Sequence, residues 1–87
     1  MANGLGPAPH PPISPPPEAP PIYPTGTRIA VCLFTDTYVW PKAGSPFWYY
    51  PIEVYKFTAP GYRWTGQSWM YDVLDLNTVE GVACSRR

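Results

Sequence analysis

A run of prolines constrains this chain more than any other feature of its sequence. Ten of its fourteen prolines lie between Pro7 and Pro24. Each one fixes φ, removes a backbone donor and pushes the residue before it toward extended geometry, so this stretch can be neither a helix nor a central strand. Polyproline II is the conformation left, and at ~3.1 Å per residue the segment Pro7–Pro24 could span ~50 Å as a straight rod. The composition changes abruptly near Tyr23-Pro24-Thr25-Gly26. The first 26 residues carry one charged side chain, Glu18, and one Phe, Trp or Tyr, Tyr23, whereas thirteen such aromatic residues follow in the remaining 61 positions. The expected organisation is a proline-rich extended arm over residues 1–26 and a small β-domain over residues 27–87.

With 87 residues there is room for one core and no second domain. Six basic and six acidic side chains cancel. No basic patch is therefore expected to drive counterion release, which argues against nucleic acid as a partner, and Arg86 and Arg87 are too few to make such a patch. No apolar run approaches the ~20 residues that span a bilayer, and the N-terminus lacks the basic and hydrophobic segments of a secretory signal. The expectation is no membrane insertion. Residence is either in the compartment of synthesis or in a virion or extracellular assembly reached by another route.

The hydrophobic pattern from Arg28 onward reads as short strands. Arg28–Thr35 is apolar on both alternating faces, as in a strand buried on both sides. Asp36–Pro46 reads as a loop, broken by Pro41, Gly44 and Pro46. Phe47–Phe57 reads as a second strand with Pro51 at an edge or bulge. Ala59-Pro60-Gly61 has turn chemistry, Thr65-Gly66-Gln67 is a short connection, and Ser68–Leu74 alternates as a strand. Asp75–Thr78 is a turn before a closing strand, Val79–Cys84. The fold class expected is all-β, a four- to five-stranded antiparallel meander or small barrel.

Trp64-Thr65-Gly66-Gln67-Ser68-Trp69-Met70-Tyr71-Asp72-Val73, followed by Glu80-Gly81-Val82, resembles the central hairpin of SH3-like small barrels, a group that includes Tudor-type and KOW-type domains. The resemblance implies a five-stranded barrel. The acidic loop with which SH3 domains orient peptides has no counterpart here. In the arm, Pro20-Pro21-Ile22-Tyr23 resembles the Pro-Pro-x-Tyr ligand of WW domains.

Candidate chemistry is sparse. The single histidine, His10, sits in the arm with nothing to hold it against a nucleophile. Asp72, Asp75 and Glu53 read as solvated carboxylates, and the scattered glycines make no phosphate loop. Neither catalytic residues, a cofactor nor a metal site is expected, so the chain is read as a non-enzyme. Cys32 and Cys84 are either two buried thiols or a disulfide joining the first strand to the last.

The aromatic load is the excess that needs a function. Tyr38, Trp40, Trp48, Tyr49, Tyr50, Tyr62, Trp64, Trp69 and Tyr71 exceed what so small a core encloses, and about half are expected inside. Rings left at the surface anchor interfaces, and aromatic grooves are what polyproline segments prefer. The candidate interface is therefore Pro12, Pro15, Pro20, Pro21 and Tyr23 on the arm, with Tyr38, Trp40, Trp48, Tyr50, Trp64 and Trp69 on the domain. Two functions follow as expectations. One is a structural, homo-oligomeric assembly subunit whose arm docks on neighbouring subunits of a virion, filament or appendage. The other is an adaptor whose aromatic groove takes a peptide or glycan, or whose arm is read by a WW domain.

Overall fold

The computed structural model describes residues 10–84. Met1–Pro9 at the start of the expected arm, and Arg86 and Arg87 at the end, lie outside the described residues. The domain is all-β. Five antiparallel strands, β1 (Thr37–Pro41), β2 (Phe47–Pro51), β3 (Thr58–Trp64), β4 (Trp69–Asp75) and β5 (Val79–Cys84), form one sheet in the order β4-β3-β2-β1-β5. The first four strands make a meander, and β5 returns to pair with β1 from Cys84 opposite Thr37 to Gly81 opposite Trp40. Ile29, Cys32, Val39, Tyr49, Ala59, Leu74 and Val82 form the buried core. Leu74 is on one edge strand and Val82 on the other, so the sheet curls until both edges reach the same core.

Tyr49 holds that curl. Its side chain is fully buried, and its hydroxyl donates to the carbonyl of Ala59 at 2.6 Å, with the carbonyl of Asp72 at 3.0 Å. A phenol laid across β3 toward β4 needs a gap, and Gly61 supplies it. A Cβ at Gly61 would meet the Tyr50 carbonyl, and would stand 2.9 Å from both Pro51 Cα and Tyr49 Cε2. No side chain fits there.

Three local expectations are corrected. Arg28–Thr35 is not a strand: Ile29–Cys32 is a 3-10 helix. Its two buried residues, Ile29 and Cys32, are three apart, the spacing that a 3-10 turn stacks on one side, while Val31 between them is half exposed. Cys32 bonds to Cys84 with a Cα–Cα distance of 5.8 Å, which closes the open choice about the cysteines as a disulfide and ties this turn to the end of β5. The first strand instead occupies part of Asp36–Pro46, expected as a loop. There Thr37 and Val39 are buried while Tyr38 and Trp40 face the other way.

Ala59-Pro60-Gly61 is the third correction, since it lies inside β3. Pro60 is tolerated because its carbonyl accepts from Ile52 just past the end of β2, where the ladder no longer needs a donor. Pro51 sits at that same end, and its carbonyl accepts from Phe34. The true turn is Tyr55–Thr58, closed by Tyr55 N–H to Thr58 O at 2.9 Å and the reverse bond at 3.0 Å. It carries neither Gly nor Pro, and Lys56 takes the left-handed conformation with φ 57°. Turn composition pointed a few residues downstream because the chain here uses a residue poorly suited to its φ.

Candidate functional site

Strand alternation sends one set of side chains into the core and the other to the opposite face, and that opposite face is aromatic. Paired residues share a face, so the register carries the pattern across the sheet. β1 contributes Tyr38 and Trp40, β2 Trp48 and Tyr50, β3 Tyr62 and Trp64, and β4 Trp69 and Tyr71. Two rings per strand thus cover four adjacent strands. The expected division, with about half the rings inside, is not what forms: of the nine, only Tyr49 enters the core.

The rings pack edge to face rather than stacking flat, the arrangement their quadrupoles favour. Tyr38 touches Trp40 and Trp48 with centroids 5.0 and 4.9 Å away. Trp69 stands 6.2 Å from Tyr50 and 5.3 Å from Trp64, and Tyr62 is 5.9 Å from Tyr71. Three of these contacts, Tyr38–Trp48, Tyr62–Tyr71 and Trp64–Trp69, join residues paired across adjacent strands, while Tyr38–Trp40 runs along β1 and Tyr50–Trp69 reaches from β2 over β3 to β4; together they fix a stiff, shallow platform.

The arm lies on that platform. The indole N–H of Trp69 donates to the carbonyl of Ser14 at 2.9 Å. Pro16 is buried although its neighbours Pro15 and Pro17 are exposed. The far end of the arm is fastened to β5: Thr25 and Gly26 donate to the carbonyl of Val82, and Val82 donates to that of Gly26 at 2.8 Å. Gly26 and Val82 form an antiparallel bridge, so the arm caps the outer edge of β5. The opposite edge, on β4, is partly closed by side chains of β4 and of the turn that follows it. Asp72 Oδ1 accepts from the Val73 N–H at 2.7 Å, and the Thr78 hydroxyl donates to the Asp75 carbonyl at 2.6 Å.

The arm does not run straight. It bends at Ile13-Ser14, at Glu18-Ala19 and at Ile22-Tyr23. Between Pro11 and Pro24 only Ile13, Glu18 and Ile22 are neither proline nor followed by proline, so they alone keep ordinary backbone freedom. The arm is a set of stiff proline segments joined at three pivots. Over residues 10–24 this departs from the straight ~50 Å rod expected for Pro7–Pro24, of which Pro7–Pro9 lie outside the described residues, and the molecule measures 41 Å along its longest axis.

Among the described residues, arm and sheet together line a smaller and a larger cleft. The smaller, of about 410 Å³, lies among Pro11, Pro12, Pro15, Gln67 and the Trp64–Trp69 pair. The larger, of about 1050 Å³, is lined by Trp48 and Tyr50 from the aromatic face, by Pro17 and Pro21 from the arm, and by Phe34 and Asp36. Phe34 is exposed and held at φ 59°, a conformation strained for a bulky residue. Burial pushes the Asp36 carboxyl above the usual carboxylate range.

The structure therefore brings Pro12, Pro15 and Pro21 to rings among the expected set. It does not do so for Pro20, which is exposed, nor for Tyr23, which is 65% exposed. Tyr38 and Trp40 belong to the platform but line neither cleft. Sequence reasoning did not single out Ser14, Pro16, Phe34 or Asp36, nor Gly81, which lies beneath Pro24. A readable signal existed for Gly81 alone, as the glycine that interrupts the closing strand.

Among the described residues no group of three or more His, Cys, Asp or Glu is placed to hold a metal ion. Nor, among them, is any helix long and apolar enough to cross a membrane. No protein-family model matches this chain, and searches of curated proteins and of solved structures find no significant match.

Proposed function

We propose that this protein is a non-catalytic assembly subunit, in which the aromatic face of an SH3-like small barrel is a receptor for proline-rich chain and the arm docks on neighbouring subunits of a larger particle. One observation carries this reading: the Trp69 indole is bonded to the Ser14 carbonyl in a proline segment that lies across the rings. A polyproline strand has already lost most of its backbone freedom and offers unpaired carbonyls at regular intervals. Flat rings with an indole donor therefore bind it at low entropic cost. The order β4-β3-β2-β1-β5, with both edges meeting one core, supports the barrel reading. Apolar side chains are also available for packing outside the arm: Met70, Tyr71 and Val73 on β4 are 58%, 60% and 49% exposed. In an assembly of this kind the partners are other protein subunits.

The test is sedimentation of the full chain across a wide concentration range, beside Trp64→Ala and Trp69→Ala variants. Concentration-dependent association of the parent, weakened in both variants, is the expected result. A parent that remains monomeric well above the millimolar range, where neighbouring copies outcompete a tethered arm, sinks the proposal.

A second reading has its own support. Ile22 and Tyr23, the last two residues of the Pro-Pro-x-Tyr sequence, are 86% and 65% exposed while the arm is docked. They are free to meet a WW domain in an adaptor role. Binding of a WW domain that is abolished by Tyr23→Ala, with association of the parent absent, would favour that reading.

A further inference from the structure

The arm occupies its own receptor only because it can bend, and the bends are few. Two pivots, Glu18 and Ile22, separate the segment lying on Trp69 from the anchor at Gly26 and Val82. Among the described residues, the segment beyond the anchor holds the domain through little: one side-chain hydrogen bond from Trp69, and one buried residue, Pro16. Its outward side carries the most exposed large apolar residues of the described chain, Ile13 at 101% and Ile22 at 86%. A second copy offers an identical face, and every contact the arm makes in its own domain can be made there without loss. What favours the closed form is only the short tether, which raises the effective concentration of the arm to the millimolar range.

Resting on the reading above, we infer that the partner of the arm is a second copy of this chain. Residues 10–21 exchange reciprocally between two domains by opening at Glu18 and Ile22, while Gly26 stays paired with Val82 of its own domain. Reciprocal exchange repeats each contact under a two-fold relation and therefore closes as a dimer. Where the geometry places the open arm on a third copy instead, the same exchange propagates into a chain of subunits. The closed form is a monomer whose receptor is self-occupied, and crowding of copies converts it.

Stiffening the pivots tests this on the full-length protein. Glu18→Pro with Ile22→Pro leaves no unrestricted residue between Pro15 and Pro24, so the arm cannot fold back but remains competent to dock on a neighbour. The variant should associate at a concentration ~100-fold below that of the parent, because the competing intramolecular site has been removed. In that associated state the indole N–H of Trp69 should keep the parent's protection from hydrogen exchange. Trp69→Ala added to the stiffened variant should return it to monomer.

A monomeric stiffened variant with a protected Trp69 overturns the inference, since the arm then closes without its pivots. A monomeric variant with an unprotected Trp69 overturns it as well, since a free arm has found no second copy. Association that survives Trp69→Ala overturns it too, because another surface would then be responsible. If the parent associates while the stiffened variant stays monomeric, exchange fails but the assembly reading stands. If the parent never associates, the assembly reading itself fails. Unchanged near-ultraviolet circular dichroism shows that each variant retains the domain.

Discussion

Gly81 lies directly beneath Pro24: a Cβ placed on Gly81 would stand 2.7 Å from Pro24 Cβ and 2.9 Å from Pro24 Cγ. Gly81 is also the β5 residue that pairs with Trp40, so the one position of β5 without a side chain is where the arm joins the aromatic face. Gly81→Val should lift Pro24 and break the Gly26–Val82 pairing beside it. The expected cost to the domain is about 1–2 kcal/mol, since the arm and not the core must move. The larger effect should be on the receptor. Loss of exchange protection at the Trp69 indole, read by NMR, checks it, and an arm still docked in Gly81→Val would refute the prediction.

Tyr49 is the phenol around which the sheet curls, and burial pushes its ionisation upward, helped by the nearby Asp72 carboxylate. The unfolded chain releases this proton near pH 10, the ordinary value, while the folded chain retains it. Its contribution is therefore complete below pH 10 and is lost as pH rises beyond it, by at most ~1.4 kcal/mol per pH unit. Tyr49→Phe should cost about 1–2 kcal/mol at neutral pH by removing the donor to Ala59. It should also flatten the alkaline fall in stability. Denaturant titrations of both proteins at pH 8 and pH 11 measure the two slopes, and equal slopes would rule Tyr49 out as their source.

The Cys32–Cys84 disulfide closes a loop across 52 positions, nearly the whole domain. In the chain-entropy model such a loop is worth roughly 4 kcal/mol. Replacing both cysteines with alanine should lower the denaturation temperature by roughly 15–30 °C, at 4–8 °C per kcal/mol in a domain of this size. Calorimetry gives the number. A fall of a few degrees would mean that the unfolded chain is already compact and gains little freedom when the link is removed.

Lys56 adopts φ 57° in the tight turn between Tyr55 and Thr58. Its ammonium lies 5.5 Å from the Tyr55 ring, an exposed contact worth about 0.5–1 kcal/mol. Glycine visits positive φ without strain, so Lys56→Gly should relieve ~1 kcal/mol of backbone strain while giving up that contact. The expected net change is a stabilisation of up to about 0.5 kcal/mol. Chemical denaturation resolves the sign, and clear destabilisation would show that the ring contact outweighs the strain.

The sequence by itself determined the kind of structure. Alternation at the start of Phe47–Phe57 and over Ser68–Leu74, the Gly66 connection and the Val79–Cys84 strand are local patterns, and local sterics and solvation settle them, although the strand expected to reach Phe57 stops at Pro51. The stiffness of the arm is equally local, since proline restricts φ wherever it occurs, and the three pivots follow from the same rule.

Tertiary structure decided the rest, for a physical reason in each case. Ile29–Cys32 is apolar enough for a strand, but a turn with two buried residues bonded to Cys84 fits the space left beside β5. Ala59-Pro60-Gly61 carries turn residues, yet the ladder of β2 ends where Pro60 lacks its donor, and Gly61 makes room for Tyr49. Ring counting found the aromatic surplus but not its distribution. Only the register of four paired strands places two rings from each on one face, because pairing and not composition sets which side chains are neighbours. The arm was readable as polyproline, but its seat was not: Ser14 reaches Trp69 across 55 positions of sequence, a distance that only the folded sheet closes.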